Sequence, residues 1–294
     1  MIPPPPDFVN IKIVLFGLVL YDGDMEYENI GAPNKLASEL PTTSRDWVCQ
    51  LYLREIERSG KMEKVRDYLA EAMASRPDVY SSAGDFLEAN PGYEQKISTS
   101  LNHAEKSAIK QYSGYRFAWI NSVARGFWDY EKMGRKTPEL EAEIKETTRE
   151  IIGAFPKAPV PEKDFLTFRG TNLDEFRNYG VDSIANLAKM KGQFMLSQGF
   201  TSTAIAREKS FAERDISDLW IGKSNVEIRF RIPAGSHETI ALLSDELSYS
   251  PQQTEVLIDH NALSYISDVT FDKENHAVVD AILIPRDLYD TMAK

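Results

Sequence analysis

The chain has 294 residues, 42% hydrophobic and 27% charged, ordinary for a globular protein and long enough for one large domain or a catalytic domain with a smaller companion. Its formal net charge of −11 argues against a partner held through nucleic-acid phosphates, while leaving room for a small anion in a local positive pocket. One cysteine, Cys49, rules out an internal disulfide framework, and the scattered His103, His237, His260 and His276 show no metal-ligand spacing, so no metal site is expected.

At the N-terminus a proline-rich lead precedes an apolar run from Ile13 to Tyr21. The run is far short of the ~20 residues a membrane helix needs. It lacks a basic flank and a small-residue cleavage site, so it is a poor secretion signal and reads as a short strand at 11–21. Export by a route that leaves no such signal stays open.

Helical spacing dominates the first half. Trp47 to Ser59 and Met62 to Met73 place apolar residues on one face with charges between. Residues 102–128 read as two helices broken at Ser113-Gly114. Thr137-Pro138-Glu139 is a cap followed by proline at the first helical position, opening a helix to about Phe155. Pro156, Pro159 and Pro161 then punctuate the chain.

After Pro161 the period changes. Asp164–Arg169 is strand-like, and Asn225–Ile232 alternates strictly, with Val226, Ile228, Phe230 and Ile232 on one face and Glu227, Arg229 and Arg231 on the other. Glu255–Ile258, Ser267–Phe271 and Ala277–Ile284 are further strands. Helices first and strands after predict an α+β fold. No internal repeat and no glycine-rich phosphate loop of the Rossmann or Walker kind occurs.

Three short motifs stand out in the second half. Phe168-Arg169-Gly170-Thr171 sets a guanidinium, able to fork onto a phosphate or carboxylate, beside a glycine that lets a ligand approach the backbone. Taken alone, it is an exposed arginine at a turn. Gly199-Phe200-Thr201-Ser202-Thr203 is a hydroxyl cluster whose inward member could hold a carboxylate in one rotamer, or an edge strand. Ser250–His260 reads SPQQTEVLIDH. On a strand, Gln253 and Glu255 would share a surface while Thr254 turns away. Before it, Asp245–Pro251 reads as an exposed loop with Tyr249 near its tip.

The order of these motifs resembles the Arg-Ser-Glu class of mono-ADP-ribosyltransferase toxins. The resemblance extends upstream, where Tyr112-Ser113-Gly114 is followed by Ile120-Asn121 and Arg125, and downstream through EVLIDHNALSYISDV. It covers residue 97 to the C-terminus, leaving 1–96 as an α-rich region of unknown role. Two departures are visible: the serine-threonine-serine pattern ends here in Ala204, and Ala124 precedes Arg125 where leucine is usual.

The resemblance implies an ADP-ribosyltransferase fold, with two packed, mainly antiparallel sheets and flanking helices. It implies that NAD is a consumed substrate, not a recycled cofactor. Glu255 would bond the nicotinamide-ribose 2′-hydroxyl and steady the developing cation, with Ser202 orienting it. Arg169 would hold the NAD phosphates with Arg125 as a second cation. Gly170, Thr171, Thr203, Asn121 and Tyr112 would complete the NAD-contacting set, and Phe211 either stacks on nicotinamide or packs the core. An amide at position 253 cannot act as the base that an arginine acceptor needs, so Gln253 points toward asparagine, glutamine or threonine on a target protein, with Tyr249 helping to recognise it. The class of activity expected is therefore protein modification by a bacterial effector in a host cell, with NAD hydrolysis, or a noncatalytic binding module of the same fold, as alternatives.

Overall fold

The computed structural model describes residues 44–124, 137–197, 199–210, 225–273 and 276–289. The strand expected at 11–21, Arg125 and Phe211 lie outside these residues.

Two helices come first, α1 (Ser44–Arg58) and α2 (Met62–Ala74). They turn about Gly60, whose φ of +69° is the left-handed conformation glycine adopts without penalty. Their buried residues Leu53, Ile56, Val65 and Leu69 form one cluster with Leu196, Leu263 and Ile282 of the sheet. Short helices follow, α3 (Ala83–Ala89) and α4 (Tyr93–Ser100). A capping box at Asn102 and Glu105 opens α5 (His103–Gln111). The expected break is present as a π-helical turn at Tyr112–Arg116, inside which Gly114 leaves helical geometry, before α6 (Phe117–Ala124). The Thr137 side chain caps α7 (Pro138–Ala154), with proline at its start as the sequence predicts.

Eight strands then form one hydrogen-bonded sheet: β1 (Phe165–Thr171), β2 (Phe194–Ser197), β3 (Thr201–Ala204), β4 (Val226–Ile232), β5 (Thr239–Leu242), β6 (Glu255–Ile258), β7 (Ala262–Phe271) and β8 (Ala277–Leu283). Their order is β2-β7-β8-β4-β1-β3-β6-β5. Pairing is antiparallel except between β4 and β8. The two sheets expected correspond to a five-strand and a three-strand half, joined by the Phe168↔Ala204 pair. A last short helix, α8 (Arg286–Tyr289), follows β8.

The alternation in β4 is real, but both its faces are buried. The polar row is satisfied by ions: Glu227 takes Arg207 at 2.8 Å and Arg229 at 2.6 Å. Arg231 bonds Asp164, the Ser75 hydroxyl at 2.6 Å and the Ala72 carbonyl, tying the end of α2 to the sheet. A buried charge left alone would be expensive, so these pairs are what permit the row to be covered.

Five elements have no counterpart in the sequence reading: α3, α4, α8, β2 and β5. The boundary between 96 and 97 falls inside α4, whose Tyr93 and Ile97 belong to the same core as Phe230 and Leu257. Strand β7 begins five residues before Ser267, with a bulge between Ile266 and Asp268. No helix among the described residues is long and apolar enough to cross a membrane.

Candidate active site

Strands β3 and β6 pair with Ala204 opposite Glu255 and Ser202 opposite Leu257. Ser202 and Glu255 are therefore diagonal neighbours on one face, a separation a long side chain can span. The Ser202 hydroxyl donates to Glu255 Oε1 at 2.6 Å. Thr203 points to the other face and donates to the Val256 carbonyl at 2.9 Å. It is buried and engaged there, apart from the Ser202 face, so its placement among NAD contacts does not follow from this geometry.

Gln253 does not share a strand face with Glu255 as the two-residue spacing predicts, because it is not on the strand. Gln253 closes a 3-10 turn, Pro251–Gln253, and Thr254 sits in the left-handed region at φ 52°, ψ 41°. The strand starts only at Glu255, so the two-residue period does not reach back to Gln253. A β-branched residue in that conformation costs about 1–3 kcal/mol and persists only where its surroundings hold it. Here the Thr254 carbonyl accepts from the Ile205 amide at 3.0 Å. Gln253 is half-buried on the turn, and Glu255 is buried at the head of the strand.

The π-helical turn supplies the floor. Tyr112 is buried, donates to the Phe200 carbonyl at 3.1 Å, accepts from Asn121 Nδ2 at 3.1 Å, and its hydroxyl lies 3.5 Å from Ser202 Oγ. Its hydroxyl thus links the π-helical turn to the Ser202 side chain. Asn121 Oδ1 is buried without a hydrogen-bond partner among the described residues.

Arg169, on β1, reaches the same cluster. Its Nη1 donates to the Ser202 carbonyl at 2.9 Å, and its Nε to Glu175 Oε2 at 3.1 Å. Thr171, two residues on, donates to that same Glu175 oxygen at 2.7 Å. Gly170 lies between them, opposite Glu227 on β4.

Burial pushes the Glu255 carboxyl above the ordinary carboxylate range, and the Ser202 hydrogen bond and the Arg169 charge pull it only part of the way back. Burial likewise raises the Tyr112 phenol, keeping it a neutral donor. For Arg169 burial opposes the cation, but Glu175, Tyr112 and Glu255 outweigh it and hold the proton more firmly. The cluster is thus a costly, partly compensated set of charges in a largely buried setting, the arrangement expected where a charge must be stabilised during chemistry.

The structure thus brings Arg169, Ser202, Glu255, Tyr112 and Asn121 together from four separated segments. Tyr249 is exposed on its loop. The sequence reading missed Glu175, the carboxylate that clips Arg169 and Thr171. Its signal was the Asn172 cap, whose side chain accepts from the Asp174 amide and starts the short turn carrying Glu175. Among the described residues no group of His, Cys, Asp and Glu is arranged to hold a metal.

A model of the ADP-ribosyltransferase exoenzyme family matches residues 90–286. Among solved structures, a C3-type protein from S. aureus with NAD is 16% identical, covering 72% of this chain and 100% of its own, with a TM-score of 0.55. An ADP-ribosyltransferase from Clostridium botulinum is 20% identical over 71% of this chain and 99% of its own, with a TM-score of 0.50. The enzymatic component of the C2-toxin, also from Clostridium botulinum, is 18% identical over 71% of this chain and 50% of its own, with a TM-score of 0.50. At these identities the structural likeness is one of fold. No curated protein matches the chain.

Proposed function

The chain belongs to the ADP-ribosyltransferase exoenzyme family and is an NAD-dependent mono-ADP-ribosyltransferase, and from that premise we propose that it moves ADP-ribose to a side chain of a target protein. Asparagine, glutamine or threonine is favoured over arginine as acceptor, and the setting is a bacterial toxin or effector acting in a host cell. The observation that carries the proposal is the Ser202–Glu255 hydrogen bond of 2.6 Å with Arg169 anchored on the Ser202 carbonyl.

In this reading NAD is the donor substrate, consistent with the solved relative that holds it. The bond from the ribose anomeric carbon to nicotinamide breaks with its electron pair leaving on nicotinamide. The acceptor atom then bonds that carbon and gives up a proton. Glu255 accepts from the ribose 2′-hydroxyl and places negative charge beside the positive charge that develops on the sugar. Ser202 keeps the carboxylate in one rotamer. Arg169, already oriented by Glu175, presents its fork to the NAD diphosphate. The unpartnered Asn121 Oδ1 is suited to accept from a hydroxyl or amide of the ligand. Arg125, Phe211, Gly170 and Thr171 complete the proposed NAD contacts.

Gln253 distinguishes acceptors. A carboxylate there could take a proton from a guanidinium; an amide cannot, though it can both donate to and accept from a neutral amide or hydroxyl. Tyr249, four residues earlier, is exposed and supplies an aromatic contact to the target surface.

The test is incubation with labelled NAD and a eukaryotic cell lysate, in parallel with Glu255→Ala. A labelled protein band that the variant fails to produce is the expected result. Nicotinamide release with no labelled band would make the protein an NAD hydrolase and overturn the transfer reading.

A further inference from the structure

Tyr249 and the helix break meet at one point. The loop 244–250 lies on α4, α5 and the π-helical turn through a set of specific contacts. Lys106 pairs with Glu246 at 2.6 Å, and the Ser98 hydroxyl donates to the same carboxylate at 3.2 Å. Lys110 donates to the Asp245 carbonyl and stands 5.2 Å from the centre of the Tyr249 ring. The Tyr249 amide donates to the Ser113 hydroxyl at 3.1 Å.

The ring itself rests on Gly114. A Cβ added there would stand 2.8 Å from Tyr249 Cδ2 and 3.0 Å from Cε2, closer than packed carbons approach. Tyr249 nevertheless remains 59% exposed. The ring is fixed on one face and open on the other, as a recognition anchor should be. Two residues earlier on the same π-helical turn, the Tyr112 hydroxyl lies 3.5 Å from Ser202. One five-residue turn therefore touches both the loop and the cluster that holds Glu255, and π-turns within helices recur at functional sites.

We propose that Gly114 is a specificity-determining positioning residue: having no side chain, it seats the Tyr249 ring at a fixed place relative to Glu255, so that an acceptor protein docked on the ring's outer face presents its side chain to the reacting carbon. This rests on the transfer reading of the preceding subsection. Gly114 acts on the acceptor and not on NAD. Replacing it displaces the ring, and a displacement on the order of 1 Å is enough to cost up to about 100-fold in a reaction that depends on alignment.

The experiment compares wild type, Gly114→Ala, Tyr249→Ala and the double variant. Two rates are read: nicotinamide release from NAD alone, and transfer of labelled ADP-ribose to proteins of a eukaryotic cell lysate. Gly114→Ala is expected to keep nicotinamide release and the KM for NAD while lowering transfer by about ten-fold or more. Added to Tyr249→Ala, it should cost nothing further, because the ring it displaces is gone. Should Gly114→Ala not fold, Ser113→Ala removes the partner of the Tyr249 amide without adding an atom, and is expected to lower transfer alone. The inference is overturned if Gly114→Ala, or Ser113→Ala in its place, transfers like wild type, if Gly114→Ala costs as much in the Tyr249→Ala background, or if the variant tested loses both rates together. A wild-type enzyme that releases nicotinamide but labels nothing sinks the transfer reading and this inference together, whereas wild-type labelling indifferent to position 114 sinks this inference only.

Discussion

Ser202 holds Glu255 across two strands, hydroxyl to carboxylate oxygen at 2.6 Å, and this bond is one of two influences that pull the buried acid back toward ionisation. A hydrogen bond to a charged group contributes about 1.5–3 kcal/mol, enough to matter against the burial that pushes the other way. The pair therefore sets both the aim and the protonation of the acid.

The pH dependence follows with a definite sign. In the proposed mechanism Glu255 works as a carboxylate, and its proton is held above the usual range, so NAD turnover should fall as pH drops through that raised value. Ser202→Ala removes a lowering influence and should move the acidic limb of the profile to higher pH, besides reducing the rate. A Ser202→Ala limb at or below the wild-type position would contradict the assignment.

The same shift predicts a stability effect. An acid whose proton is held more tightly in the fold than in the unfolded chain contributes stability below its unfolded pKa and loses it as pH rises through the folded one. At neutral pH, then, ionised Glu255 is a burden on the fold. Glu255→Gln should melt at a higher temperature than wild type while losing about 100- to 1000-fold in turnover. Calorimetry at pH 7 checks it; a lower melting temperature would count against the burial argument.

Tyr112→Phe deletes a hydroxyl that serves the Phe200 carbonyl and Asn121. Each neutral bond of this kind contributes about 0.5–1.5 kcal/mol. Turnover is expected to fall by about three- to thirty-fold, with the KM for NAD changing less than kcat, because the hydroxyl's bonds run to Phe200, Asn121 and Ser202. Steady-state kinetics that placed the whole loss in KM would mark the hydroxyl as a direct NAD contact instead.

Gln253→Glu introduces the base that the amide lacks. Labelling of the native acceptor by this variant should drop, since the amide's donor is lost where a neutral acceptor needs it. Mass spectrometry of the modified side chain reads the outcome, and equal labelling of the same residue would remove Gln253 from acceptor selection.

Away from the site, Arg231→Met leaves Asp164, Ser75 and the end of α2 without their shared cation. Breaking a buried pair from one side costs about 3–5 kcal/mol. Denaturant unfolding should show a loss of that order; a change below about 0.5 kcal/mol, the range of ordinary surface substitutions, would show the bridge to be idle.

Much of this was legible in the chain because local rules and global fold agree. Thr137-Pro138 marks α7, the 225–232 alternation marks β4, and Ser113-Gly114 marks the helix break. Order along the chain pointed to Arg169, Ser202 and Glu255, and pairing of β3 with β6 supplies the contact that order alone could not. What escaped was short or context-made. Strands β2 and β5 have four residues each, too few for a period to declare itself. Thr254 reverses the backbone in a conformation that β-branched residues rarely adopt, so the relation between Gln253 and Glu255 was misread as strand alternation. Glu175 reaches Arg169 and Thr171 from a short turn only six and four residues on, and the seat of Tyr249 on Gly114 depends on the absence of a side chain, so neither leaves a periodic trace.

The most direct measurement is a crystal structure with a non-hydrolysable NAD analogue bound. The expected result has the nicotinamide-ribose 2′-hydroxyl in hydrogen-bond contact with Glu255 and the diphosphate on the guanidinium of Arg169. An analogue seated elsewhere, or one whose ribose turns away from that carboxylate, would contradict it.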